Sequence, residues 1–298
     1  MPVRLKIKHI TEYTYDREVI LSPHIIRLRP APHCRMPIYN YSLDVQPAEH
    51  FINWQQDPFG NFQARCVFTA KTKKLSISVD IITDIIEINP FDFFIEEYVV
   101  SYPFQYDPVL AGDLVNYLKI SENGDLLSAW VSGHDVRKED TINFLVTLNR
   151  KLHADIKYLV RLDPGVQTCE QTLQMRSGSC RDSAWLLIQI LRRLGIAARY
   201  VSGYLVQYAE DAGITGEFST IDKNCADLHA WVEVYLPGAG WLGLDPSSGV
   251  FAGRGYIPLA CTPEPAGAAP VTGTHSKGNT EFSYSSSIER ISPQDLPF

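Results

Sequence analysis

Between Val3 and about Asn89 the sequence never settles into a helical period. Its apolar residues alternate over short runs or gather in β-branched and aromatic clusters: Arg4-Leu5-Lys6-Ile7-Lys8, Tyr39 to Val45, Phe62 to Thr69 and Leu75 to Ile82. Turn-forming groups separate these runs at Pro30 to Pro32, at Asp57-Pro58-Phe59-Gly60-Asn61 and at Lys71 to Lys74. A side-chain period of two puts alternate residues on one face of a strand, so strands of this kind must share a core. The spacing predicts a β-sandwich-like domain over about residues 1–100. No acid, base and nucleophile gather there, so its expected role is packing or recognition.

Beyond Tyr102 the period changes. Asp107 suits an N-cap with Pro108 at the first helical position, and Ile142, Leu145, Val146 and Leu152 space an apolar face over a helix from about Lys138 to Ala154. Residues 101–155 therefore read as a helical bridge. Residues 156–263 read as an α+β unit: a strand near Lys157 to Arg161, a short helix entered through the capping-box pattern Thr168-x-x-Gln171, a longer helix, then strands. Pro, Gly, Ala and Ser dominate afterwards, and residues 264–298 read as an extended tail able to wrap a neighbouring surface.

At 298 residues the chain is long enough for two domains with cores of their own. Its 27 Lys and Arg against 34 Asp and Glu leave a net charge of −7 with no basic run, so neither nucleic acid nor an anionic membrane is an expected partner. Charges at Arg4, Lys6, Lys8 and Glu12 interrupt the N-terminus before a secretory apolar core could form, and no stretch reaches the length of a membrane span. A cytoplasmic location is expected.

Six scattered cysteines form no C-x-x-C pair, which argues against both a zinc ribbon and a disulfide scaffold. One of them is placed differently. In Ser177-Gly178-Ser179-Cys180-Arg181-Asp182-Ser183-Ala184-Trp185 a loop runs into a helix that Ser179 can cap. Asp182 favours its first turn, Ala184, Leu187, Ile188 and Leu191 give it a buried stripe, and Gly195 ends it. Cys180 thus sits in the first turn, where unpaired N–H groups and the positive dipole end favour a thiolate over a thiol and can face a developing oxyanion.

A nucleophile of this kind needs a base. Asp227-Leu228-His229-Ala230-Trp231-Val232-Glu233-Val234-Tyr235-Leu236 reads as a strand with His229 near its start, Pro237 to Gly240 turn the chain, and Trp241 to Leu244 return to Asp245. A four-residue turn would aim Asp245 away from His229. A five-residue loop or one bulge puts Asp245 opposite Trp231 and diagonal to His229 on the same face. The second register is expected, with Asp245 holding the imidazole tautomer and stabilising the imidazolium. His9, His24, His33, His50, His134, His153 and His275 are expected to pack or sit at the surface, and Cys225-x3-His229 offers too few ligands for zinc, so no metal is expected.

These segments resemble the bacterial transglutaminase-like proteins of the papain-like cysteine peptidase and transglutaminase superfamily. The resemblance rests on Gly165-Val166-Gln167-Thr168, Gly178 to Trp185, Leu191 to Arg199, Val201-Ser202-Gly203-Tyr204, Asp227 to Trp231 and Gly240-Trp241-Leu242-Gly243-Leu244-Asp245-Pro246, within about residues 156–262. His9-x-Thr11-x-Tyr13-x-Tyr15-Asp16, Arg27-Leu28-x-Pro30 and Asp57-x-Phe59-Gly60-Asn61 resemble the β domain that precedes this core in many bacterial members.

The resemblance implies a papain-like α+β core in which Cys180, His229 and Asp245 act on an acyl group of a peptide or protein substrate through a thioester. It leaves the oxyanion donor between Gln174 and Tyr158, and it sets Tyr256 where many relatives carry His. Trp185, Trp231 and Trp241 either line a channel or belong to the core. Cysteine protease or amidase hydrolysis is expected ahead of amine transfer by a crosslinking transglutaminase. A non-catalytic peptide-binding scaffold is the third reading. No cofactor is expected, because a thiolate supplies its own nucleophile and no calcium-loop pattern is found.

Overall fold

The computed structural model describes residues 3–133, 138–208 and 224–292. His134 lies outside them. The N-terminal strands are β1 (Val3–Val19), β2 (His24–Ile26), β3 (Ile38–Gln46), β4 (His50–Gln56), β5 (Phe62–Phe68) and β6 (Thr72–Ile85). After β7 (Ser101–Tyr102) come α1 (Pro108–Asp113), α2 (Val115–Leu118) and α3 (Asp125–Ser132), then β8 (Glu139–Asp140) and α4 (Thr141–Asp155). The remainder is β9 (Lys157–Tyr158), α5 (Cys169–Met175), β10 (Ser177–Gly178), α6 (Cys180–Arg193), β11 (Ala198–Gln207), β12 (Cys225–Leu236), β13 (Gly240–Asp245), β14 (Val250–Phe251), β15 (Tyr256–Thr262), β16 (Val271–Thr272) and β17 (Thr280–Arg290).

Two four-stranded sheets take the orders β17-β1-β6-β3 and β16-β2-β5-β4. Between them lie Leu5, Ile7, Ile26, Leu28, Leu75, Ile77 and Ile81, the inward residues of the alternation read above. The segment after residue 263 becomes two of their strands. Residues 280–290 pair along β1 from Tyr15↔Thr280 to Leu5↔Arg290, and Val271 pairs with Ile26. Few large apolar side chains are needed there, because β17 is an edge strand held by its backbone ladder and mostly exposed.

A five-stranded sheet, β14-β13-β12-β11-β15, carries the helices. Residues of α4 and α6, including Leu145, Leu148, Ala184, Leu187 and Ile188, bury the face of this sheet that bears Ala230, Val232 and Val234. The whole is α+β with mainly antiparallel sheets, a papain-like or transglutaminase-like architecture. Helix α6 differs from the single apolar stripe of its sequence, because it is buried nearly all round. Its polar side chains turn inward with partners: the buried Arg192 guanidinium donates to Ala198 O at 3.0 Å and to Pro263 O at 2.6 Å, beyond the last turn where a cation suits the dipole. No helix among the described residues is long and apolar enough to cross a membrane.

Candidate active site

Cys180 is the first residue of the 14-residue α6. What aims it is Asp182, a fully buried carboxylate two residues on. Asp182 accepts from the Ser179 N–H and hydroxyl at 2.8 Å each, from Gln167 N–H at 2.7 Å, and from Arg161 Nη2 at 2.9 Å and Nε at 3.1 Å. Burial raises its pKa, but these donors outweigh burial and leave it below the usual value. One carboxylate therefore ties the 161–167 loop and the helix cap together. Gly178 is required beside it, since a Cβ there would lie 2.8 Å from Asp182 Cβ.

His229 lies on β12 opposite Gly203 of β11. Strand β13 pairs with β12 from Leu236↔Gly240 to Val232↔Leu244, closing the hairpin over Pro237, Gly238 and Ala239. Continued by one residue, that register sets Asp245 against Trp231 and diagonal to His229, the arrangement expected from the sequence. Gly238 and Gly240 make the tight loop possible, at φ of 90° and 75°.

The side chains meet accordingly. His229 Nε2 is 2.9 Å from Asp245 Oδ2. The Cys180 sulfur lies near enough to the same imidazole to favour its charged form, after the Asp245 carboxylate. Asp245 is fully buried, and Ser247 donates to its Oδ1 from both N–H (2.9 Å) and hydroxyl (2.7 Å), while the Tyr256 hydroxyl donates to Oδ2 at 2.8 Å. Burial opposes the charge on either ring or carboxylate. The opposite charge and shared hydrogen bond overcome it, holding the His229 imidazolium up to about 10 and Asp245 down to about 2.

Of the other sequence candidates, Tyr158 is drawn to the site. β9 and β10 pair in parallel with Tyr158 opposite Gly178, two residues before Cys180. Burial, then the neighbouring Cys180, Asp227 and Asp245, push the Tyr158 hydroxyl up to about 12, so it stays protonated as a donor at neutral pH. Gln174 is exposed on α5. Trp185 and Trp231 are buried, the first donating its indole N–H to Glu122 and the second stacked beneath His229 at 6.4 Å. They support the site from within and do not wall a channel. Trp241 packs against Tyr117, Tyr235 and the Arg199 guanidinium.

The sequence reading missed the Asp182–Arg161 hub, although Ser179-x-x-Asp182 carries the capping-box spacing. It also missed Ser247, whose signal is the Asp-x-Ser pattern of an Asx turn. Elsewhere among the described residues, His33, Glu233 and Cys261 could converge on a metal ion. Arg199 already holds Glu233 at 2.6 Å, so a guanidinium occupies the carboxylate such an ion would need.

Residues 5–84 match the bacterial transglutaminase-like N-terminal region, and residues 129–246, which hold the cysteine, histidine and aspartate just described, match the transglutaminase-like superfamily. The chain belongs to the transglutaminase-like superfamily. An uncharacterized Mycobacterium tuberculosis relative of this transglutaminase-like protein is 27% identical over 281 residues, spanning 91% of this chain and 87% of its own. A protein-glutamine gamma-glutamyltransferase of Pseudomonas aeruginosa is 38% identical over 72 residues, 24% of this chain and 10% of that one. A solved structure from Cytophaga hutchinsonii, provisionally named a cysteine protease, has the same fold over 100% of this chain and 94% of its own, with a TM-score of 0.69 at 20% identity.

Proposed function

We propose that this transglutaminase-like protein is a cysteine hydrolase, a protease or amidase that cleaves a peptide, isopeptide or glutamine-type amide. The observation that carries this reading is the His229 imidazole held on the buried, threefold-donated Asp245, with Cys180 beside it in the first turn of α6. A binding scaffold has no use for an imidazole held charged beside a thiol.

In the first step the Cys180 thiolate forms a bond to the acyl carbon while the carbonyl π pair moves to oxygen. The first N–H groups of α6, which have no intrahelical acceptor, and the Tyr158 hydroxyl face that oxyanion. The C–N bond breaks as the His229 imidazolium gives its proton to the leaving amine. The neutral imidazole then takes a proton from water, whose oxygen attacks the thioester. Loss of the sulfur as thiolate releases the carboxylic acid and restores the ion pair.

Amine transfer uses the same acyl-enzyme, with a primary amine in place of water. The test is an acyl-donor peptide screen scored by mass spectrometry with and without a primary amine, comparing wild type with Cys180→Ala. The expected product gains the mass of water and is absent in the variant. Amine incorporation in preference to hydrolysis would replace the hydrolase reading with a transferase. No product from any donor, together with wild-type labelling of Cys180 by iodoacetamide in His229→Ala, would leave the scaffold.

A further inference from the structure

A second carboxylate lies near the reactive centre, and the reaction above does not use it. The strand period of β12 sets Asp227 on the same face as His229, two residues or roughly 7 Å along. Asp245 is buried, whereas Asp227 is exposed. Among the described residues no Lys, Arg or His pairs with Asp227; His229 pairs with Asp245 instead. The neighbouring Cys225 thiol, raised by burial and then by Asp227, brings no positive charge.

Strand β17 reaches the same place from the N-terminal sheets. The Ser286 hydroxyl donates to Ala226 O at 2.5 Å, which seats one face of β17 against the start of β12, a single residue before Asp227. Phe282 and Tyr284 share that face through the period of two. Their rings lie 6.0 Å apart and both are exposed. Phe282 rests in turn on Tyr13 of β1 at 5.4 Å, so the row is anchored. The exposed Tyr158 ring completes the group: after burial, the neighbours that raise its hydroxyl are Cys180, Asp227, Asp245 and Tyr284.

An open carboxylate without a cation, beside open tyrosine rings, fits one ligand chemistry. A guanidinium or ammonium pairs with the carboxylate and is drawn to the negative face of a ring. An acidic side chain would be repelled, and an apolar one gains nothing from the carboxylate. In the hydrolase reading, on which this inference rests, His229 hands its proton to the leaving amine. The residue carrying that amine therefore lies on the His229 side of Cys180, where a long side chain reaches a carboxylate roughly 7 Å further along the strand. We propose that Asp227 and Tyr284 form a specificity site for a basic side chain, arginine or lysine, on the leaving-amine residue of the substrate. Strand β17 thereby gives the N-terminal sheets a share in substrate recognition.

Binding is read on the full chain as Cys180→Ala, without turnover. Isothermal titration compares N-acetylated Ala-Leu-Arg-Ala amide with the same peptide carrying citrulline, a neutral isostere, in place of arginine. The arginine peptide is expected to bind roughly fivefold or more tightly. Asp227→Asn should erase that gap by weakening only the arginine peptide, Tyr284→Ala should narrow it, and Tyr284→Phe should keep it. A merely structural role would weaken both peptides together. Equal binding of the two peptides, binding of neither, or a gap unchanged in Asp227→Asn overturns the proposal. Cleavage is scored by mass spectrometry on the wild type, where the cut is expected between leucine and arginine. A cut on the carboxyl side of arginine overturns the placement on the leaving side. An arginine peptide that binds with the gap intact but is left whole by wild type overturns the hydrolase reading while supporting the cation site, so the two failures are told apart.

Discussion

The Tyr256 hydroxyl donates at 2.8 Å to Asp245 Oδ2, the same oxygen that faces His229 Nε2 at 2.9 Å. Tyr256 therefore acts on the base through the carboxylate and is a positioning residue. Its ring also packs edge-on against Trp231 at 5.3 Å, which fixes the hydroxyl. In Tyr256→Phe, Asp245 should lose about 1–3 kcal/mol of support, seen as slower iodoacetamide labelling of Cys180. The acid limb of the labelling profile should move to higher pH, because this donor helps hold Asp245 low. Tyr256→His restores a donor and should recover part of the rate. An unshifted profile in Tyr256→Phe would reduce the residue to packing.

The His229–Asp245 pair also predicts how stability depends on pH. His229 rises from 6.5 to about 10 on folding, so its contribution is complete below 6.5 and is lost as pH climbs through about 10. Asp245 falls from 3.8 to about 2, so its contribution is complete above 3.8 and is lost as pH drops through about 2. Urea unfolding of wild type and Asp245→Asn should show the widest gap near about pH 5, narrowing steadily toward about pH 9. A gap independent of pH over that range would mean that the pair is not charged as described.

Glycine 203 faces His229 across the β11–β12 ladder. A Cβ at this position would overlap both Ile257 O and the Trp231 ring. The ring is fully buried and the carbonyl is backbone, so neither can yield cheaply. Gly203→Ala is expected to cost about 1–3 kcal/mol in urea unfolding. It should also slow Cys180 labelling, because Trp231 stacks under His229 at 6.4 Å. Normal stability with normal labelling would show that the sheet can shift to admit a methyl group.

The site was legible where local rules decide geometry. Helix capping located Cys180, and the strand period narrowed the hairpin to two registers, of which the expected one brings Asp245 to His229. What stayed hidden depends on contacts distant in sequence. Asp182 looked like a first-turn residue until Arg161 and Gln167 were folded onto it. Trp185 and Trp231 were open between wall and core because aromatic residues serve both, and only burial separates them. The tail hid its strands for another reason: β17 is held by main-chain pairing along β1, and main-chain pairing leaves little trace in composition.

The N-terminal motif Asp57-x-Phe59-Gly60-Asn61 has a physical task that its sequence alone does not disclose. The buried Asn61 side chain donates to Cys261 O at 2.9 Å and accepts from Cys261 N–H at 2.8 Å, as a neighbouring strand would. Asp57 holds that amide in place through Asn61 Nδ2 at 2.7 Å. Strand β15 is the edge of the five-stranded sheet, so the clamp completes an edge that would otherwise bury two unpaired backbone groups. Asn61→Ala should cost about 2–4 kcal/mol, one desolvated donor and one acceptor, measured by urea unfolding. Tyr256 begins the same strand, so the loosened edge should also reach Asp245 and slow Cys180 labelling, by less than Tyr256→Phe does. Lost stability with wild-type labelling would confine Asn61 to holding the sheets together; lost stability with slowed labelling would tie the N-terminal strands to the alignment of the base.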